Sequence, residues 1–151
     1  MPAVHVQGCR LDMQAVAAPD AAPAAAPMVL LHEGLGSVSM WRDWPSRVAR
    51  ATGRAIWVHS RRGYGQSDAV TDVRRSGRLP PDYLHREAWN VLPVLLAQWG
   101  LQCPVLPGHS NGASIALLPA SRLPVQACIG NACHATMRTW MAPAGNGATP
   151  G

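Results

Sequence analysis

The sequence predicts an α/β fold: a mostly parallel sheet with helices on both faces. Three observations carry this. Three short apolar runs, "MVLLH" (28–32), "AIWVHS" (55–60) and "QCPVLP" (102–107), have the length and composition of strands buried on both faces. A helical stretch follows each run, and the order strand, helix, strand, helix, strand, helix calls for parallel strands joined by right-handed crossovers. The chain has 151 residues, enough for one domain with a real core.

Taken in order, residues 3–7 and 10–17 alternate loosely around Gly8 and read as an antiparallel pair at a sheet edge. Residues 18–27, "APDAAPAAAP", read as an exposed, mobile low-complexity link. The run 28–32 opens the parallel part. A helix is expected from an N-cap at Ser39 to Gly53, with Met40, Trp41, Trp44, Val48 and Ala51 near one face and arginines opposite. The strand 55–60 leads into the loop "RRGYGQSD", and residues 70–81 are polar, basic and without period. Asp82 opens a long helix to about Trp99. Its buried face is Tyr83, Ala88, Val91, Leu92, Leu95 and Leu96; Pro93 bends or breaks it and Gly100 stops it. The strand 102–107 is followed by a helix from Asn111 to about Leu118, cut short by Pro119, and residues 125–129 suit one more strand. Residues 1–130 therefore form the folded part, and 131–151, rich in Gly, Ala and Pro, read as an irregular or disordered tail.

Composition narrows the function classes. All 13 basic residues are arginine, Phe is absent, and Ala, Gly and Pro are abundant, so the net charge of +5 reflects coding bias rather than a nucleic-acid surface. The arginines are scattered and no aromatic residues interleave with them as a stacking surface requires. Cys9, Cys103, Cys128 and Cys133 show no paired spacing, and Cys128, Cys133 and His134 lack a fourth metal ligand. Free thiols, no signal-peptide pattern and no apolar run of membrane-spanning length point to a cytoplasmic protein without a membrane or nucleic-acid partner.

Chemistry concentrates in "VLPGHSNGASIALL" (105–118). Gly108, Ser110 and Gly112 satisfy G-x-S-x-G between an apolar strand and a helix of small residues. Such a turn puts a serine at a strained backbone position, and flanking glycines let strand and helix approach closely. The loop "HEGLGS" (32–37) follows the first buried strand and offers backbone N–H groups to a developing oxyanion. Gly34 is the first candidate donor and Leu35 the second; the N–H of Asn111 is the partner donor. In "SRRGYGQSD" (60–68), Asp68 is expected to bracket its loop through backbone hydrogen bonds.

These three segments, in this order and spacing, resemble the oxyanion loop, R-G-x-G-x-S loop and nucleophile turn of the α/β-hydrolase superfamily. The particular version is similar to small bacterial hydrolases described alongside enol-lactone hydrolases and prolyl aminopeptidases. The resemblance covers residues 4–129 and implies a sheet of eight strands, Ser110 as nucleophile, His32 as a loop organiser, a small-molecule ester or lactone substrate and no cofactor. It also locates a disagreement. In that family an acid and then a histidine follow the serine, whereas here the last acidic residue is Glu87 and only His134 follows Ser110. His109 adjoins Ser110 but points away across the turn, His59 reads as a core residue with a satisfied ring nitrogen, and His85 as solvated.

The expectation is thus a partial, C-terminally truncated α/β-hydrolase fold lacking its last strands. Its serine hydrolase chemistry is weak or absent without the acid and histidine. The alternatives are a non-catalytic module that pairs, or self-associates, through an exposed sheet edge, and an active variant that recruits His134 or another histidine as base.

Overall fold

A computed structural model describes residues 2–18, 25–71 and 79–131. His134, Cys133, all of the expected tail 131–151 except Asn131, and most of the link at 18–27 lie outside the described residues.

The period-2 alternation of side chains along a strand organises the core. On β3 (Met28–Leu30) and the bridge residue Leu31, Met28 and Leu30 face one side and Val29 and Leu31 the other. Both sides are buried, which is why the run carries no polar residue. Val29 and Leu31 pack with Ala88, Leu92, Leu106 and Ile115, while Met28 and Leu30 pack with Val38, Ala49, Ile56 and Val58.

The sheet has six strands in the order β1-β2-β4-β3-β5-β6. The edge hairpin β1 (Ala3–Val6) and β2 (Cys9–Val16) is antiparallel, as the sequence suggests, and β2 pairs antiparallel with β4 (Ile56–His59). From β4 onward, β3, β5 (Val105–His109) and β6 (Ala127–Asn131) run parallel. β6 ends the described sheet with all but one of its residues exposed, including Ile129.

Two helices depart from expectation. The helix expected from Ser39 divides into a 3-10 turn, Val38–Trp41, and α1 (Trp44–Thr52). Pro45 in the first turn of α1 fixes where it starts, because proline has no N–H to donate and its φ is preset for a first helical turn. Pro45 and Ala49 face the core, whereas Met40 and Trp44 are exposed, Trp44 stacked on Trp41. Gly53, at φ 65°, closes α1 as expected. The long helix divides into α2 (Tyr83–Arg86), a π-helical turn Glu87–Val91 and α3 (Leu92–Gln98). In the wide π turn the Leu92 N–H reaches back five residues to Glu87 O, and Pro93, which has no N–H to donate, follows in the first turn of α3. Ala88, Leu92, Leu95 and Leu96 are buried as expected, and so is Glu87.

β5 passes through Ser110 into α4 (Asn111–Leu117), which tightens to a 3-10 turn at Leu118–Ser121 where Pro119 enters. Here the glycines are compulsory. A methyl at Gly112 would collide with the backbone of Leu31 and His32, and one at Gly108 with the backbone of Gly112 and Ala113. Gly→Ala inside a helix ordinarily stabilises by about 1 kcal/mol. Gly112→Ala is expected to reverse that sign and cost about 3 kcal/mol or more, because backbone cannot move aside as a side chain can. Denaturant unfolding of the variant measures this, and unchanged or raised stability would contradict the packing.

Candidate active site

Ser110 sits at φ 52° and ψ −114°, a conformation that costs a non-glycine residue about 1–3 kcal/mol and must be enforced by its surroundings. Three backbone hydrogen bonds enforce it. The Ser110 N–H donates to Asn131 O on β6 (2.8 Å), and the Ser110 carbonyl accepts from the N–H groups of Ala113 (3.0 Å) and Ser114 (3.2 Å). The side chain is left at a half-buried position on the sheet's carboxyl edge.

The structure brings Gly34 and Asn111 together. A methyl on Gly34 would lie 2.9 Å from Asn111 Nδ2, so the candidate oxyanion loop abuts the residue after Ser110. Asn111 opens α4, and its N–H has no intrahelical acceptor. Leu35, the second candidate, is 85% exposed.

Behind this loop lies a group whose importance the sequence does not reveal. Arg61 is 1% exposed. Its Nη1–H donates to His32 O (2.7 Å), its Nη2–H to Glu33 O (2.6 Å) and its Nε–H to the Tyr83 hydroxyl (2.9 Å). Its backbone N–H donates to His32 Nε2 (3.1 Å), and the other ring nitrogen of His32 lies 2.7 Å from Glu33 O. A carbonyl only accepts, so Nδ1 carries the proton and Nε2 is bare. Burial, reinforced by the Arg61 charge, lowers the His32 pKa from 6.5 to about 3, which keeps that neutral tautomer. Arg61 sits in an Arg-Arg pair after a strand, and nothing in the pair marks which arginine turns inward.

The other expected residues fall as follows. Asp68 brackets its loop: its carboxylate accepts the Arg10 N–H (2.8 Å) and its carbonyl accepts the Gly63 N–H (2.8 Å). His85 is exposed, edge-on to Trp89, and His109 is exposed at the end of β5. His59 is buried as expected, but its Nδ1 has no hydrogen-bond partner, which corrects the expectation of a satisfied ring. Among the described residues no histidine or carboxylate hydrogen-bonds to Ser110 Oγ. Glu87, which the sequence places on a helix without a role, is buried beside Arg61. Burial raises its pKa from 4.5 to about 7, against the pull of the Arg61 charge. A cavity of about 420 Å³ runs between the β1–β2 hairpin and the helix, touching Arg62, Tyr83 and Glu87 rather than Ser110.

No family profile matches the sequence. A proline iminopeptidase of Levilactobacillus brevis is 33% identical over 93 residues, 61% of this chain and 28% of that protein. Among solved structures, proline iminopeptidase from Mycobacterium smegmatis superposes with a TM-score of 0.73 at 22% identity, over 92% of this chain and 46% of that one. An α/β hydrolase fold protein from Burkholderia ambifaria gives 0.65 at 20% identity, over 85% and 42%. The fold is that of the α/β hydrolases, and the chain spans less than half the length of each of these proteins. Among the described residues no helix is long and apolar enough to cross a membrane.

Buried neutral histidines make stability depend on pH. His59 is lowered to about 3, by burial first and then by His32 and Arg61. Between about pH 6.5 and 3 the unfolded chain binds protons at His32 and His59 that the folded chain refuses. Their contribution is therefore complete above pH 6.5 and is lost on acidification, by up to about 1.4 kcal/mol per pH unit per histidine. Glu87 acts oppositely between about pH 4.5 and 7, where the folded form holds the extra proton, so it cancels one histidine between about pH 4.5 and 6.5. Stability to urea is expected to fall as pH drops below about 6.5, and more steeply below about 4.5. His59→Leu, which also removes an unpaired nitrogen, should halve the lower slope; an unchanged slope would show that His59 takes up a proton in the fold.

Proposed function

We propose that the chain carries the nucleophile and oxyanion half of a serine hydrolase site for an ester or lactone carbonyl. The observation that carries this reading is the strained Ser110 turn with Gly34 packed against the neighbouring Asn111. In this reading Ser110 Oγ attacks the carbonyl carbon, and the N–H groups of Gly34 and Asn111 hold the oxygen as it becomes negative. Collapse expels the alcohol, or opens the lactone, and water releases the acid from the serine ester. The Oγ proton must leave during attack, and no described side chain is within hydrogen-bond reach to take it. Buffer or solvent then serves as base, so the chain alone turns over slowly. The family reading brings peptidase relatives too, whose acyl transfer makes the same demands on serine and oxyanion donors.

The test compares the chain with Ser110→Ala on 4-nitrophenyl acetate, a γ-lactone and proline 4-nitroanilide, together with labelling by a fluorophosphonate. Slow labelling that Ser110→Ala abolishes is expected, with rates at most about 10³–10⁴-fold above water, the residue left when triad members are removed. Hydrolysis that survives Ser110→Ala, or no labelling of a folded sample, would overturn the assignment. Turnover near about 10 s⁻¹, typical of complete enzymes, would show instead that a base is present.

The exposed β6, last strand of the sheet among the described residues, favours a second reading, a module that self-associates through that edge. Light scattering of the chain and of Ile129→Lys decides it: dimers lost in the variant support pairing at β6, and a monomeric parent excludes it.

A further inference from the structure

We infer that Arg61 is a positioning residue for the oxyanion donor at Gly34, acting through the peptide bond between Glu33 and Gly34. The inference rests on the proposed serine hydrolase reading. In a trans peptide the carbonyl and the N–H point in opposite directions, and no described peptide is cis. The carbonyl of this peptide is Glu33 O, and the N–H is that of Gly34. Glu33 O accepts two short bonds, from Arg61 Nη2 (2.6 Å) and His32 Nδ1 (2.7 Å), and a longer one from the Gly36 N–H within the loop (3.3 Å). The Gly34 N–H is thereby turned away from Arg61.

Glycine makes this hold necessary. Gly34 leaves room for the Asn111 side chain, but a glycine peptide flips more readily than any other. A flip would aim the N–H at the guanidinium and break all three bonds to Glu33 O. The fork of Arg61 adds a further restraint, since Nη1 grips the preceding carbonyl, His32 O, at 2.7 Å. Lysine, a compact charge with three rotatable donors, cannot hold two carbonyls in a fixed plane. The charge contributes as well as the geometry: a cation on a carbonyl oxygen polarises its amide and strengthens the opposite N–H as a donor. Tyr83, through its hydroxyl on Nε, ties α2 to the same guanidinium.

The experiment separates positioning from mere support of the fold by using a nucleophile with two reactions. In a Ser110→Cys background the thiol is alkylated by iodoacetamide, which builds no oxyanion, and acylated by 4-nitrophenyl acetate, which does. Both need the thiolate, so the ratio of the two rates, read by peptide mass spectrometry at position 110, cancels thiol pKa and exposure. With Arg61 present, the ratio is expected to exceed that of the same chain in urea. Arg61→Gln and Arg61→Lys should lower it about tenfold, part of the 10²–10³ that loss of an oxyanion donor costs, while circular dichroism remains that of the parent. A ratio in the parent no higher than in urea would overturn the oxyanion reading, and with it the role of Arg61. A raised ratio that survives both substitutions would overturn the role of Arg61 alone. If neither Arg61 variant folds, Tyr83→Phe decides: a fall of about threefold supports the assignment, and an unchanged ratio in a folded variant refutes it.

Discussion

A buried guanidinium joins three segments that lie far apart in the chain. Arg61 leaves β4, grips two successive carbonyls at the exit of β3 and meets the tyrosine that opens α2. Stripping water from a guanidinium is expensive unless its donors are matched, and here three neutral acceptors, His32 O, Glu33 O and the Tyr83 hydroxyl, do the matching. The arrangement keeps His32 neutral and satisfies both ring nitrogens: Nε2 accepts the Arg61 N–H and Nδ1–H donates to Glu33 O. The loop carrying Gly34 is thus anchored from behind, leaving its front to face Asn111.

On the other side of the site, the constraint is steric. β5 and α4 meet through Gly108 and Gly112 at a distance no side chain tolerates, with Gly112 seated on the backbone of Leu31 and His32. The residues that Arg61 grips and the residues on which Gly112 rests are the same end of β3. The Ser110 turn and the oxyanion loop are therefore held to one short piece of backbone, which is why their relative placement is well determined. β6 completes the support by accepting the Ser110 N–H at Asn131, although β6 itself is the most exposed strand of the sheet.

Much of this was legible along the chain. The three apolar runs became β3, β4 and β5, the first hairpin sits at the sheet edge, and the glycines of the serine turn make the contacts that turn requires. Periodicity placed Ala88, Leu92, Leu95 and Leu96 in the core because those residues repeat at helical spacing. It failed where local backbone chemistry outweighs spacing. Met40 and Trp44 match an apolar face yet are exposed, because Pro45 starts α1 later and rotates that face. Pro93 signals a bend or break, but the π turn upstream of it leaves no sequence signal, since it depends on how the core holds Glu87 and Ala88.

The sequence by itself determined the strand order's raw material, the strained serine and its glycines, and the absence of any acidic residue after Glu87, because these depend on residue type and local spacing. Only the tertiary structure decided that Arg61 rather than Arg62 turns inward, that His59 leaves a nitrogen unpaired, and that Glu87 is buried beside a cation. Burial of a charge depends on which distant carbonyls, hydroxyls and carboxylates converge on it, and convergence of residues tens of positions apart leaves no periodic trace in the chain.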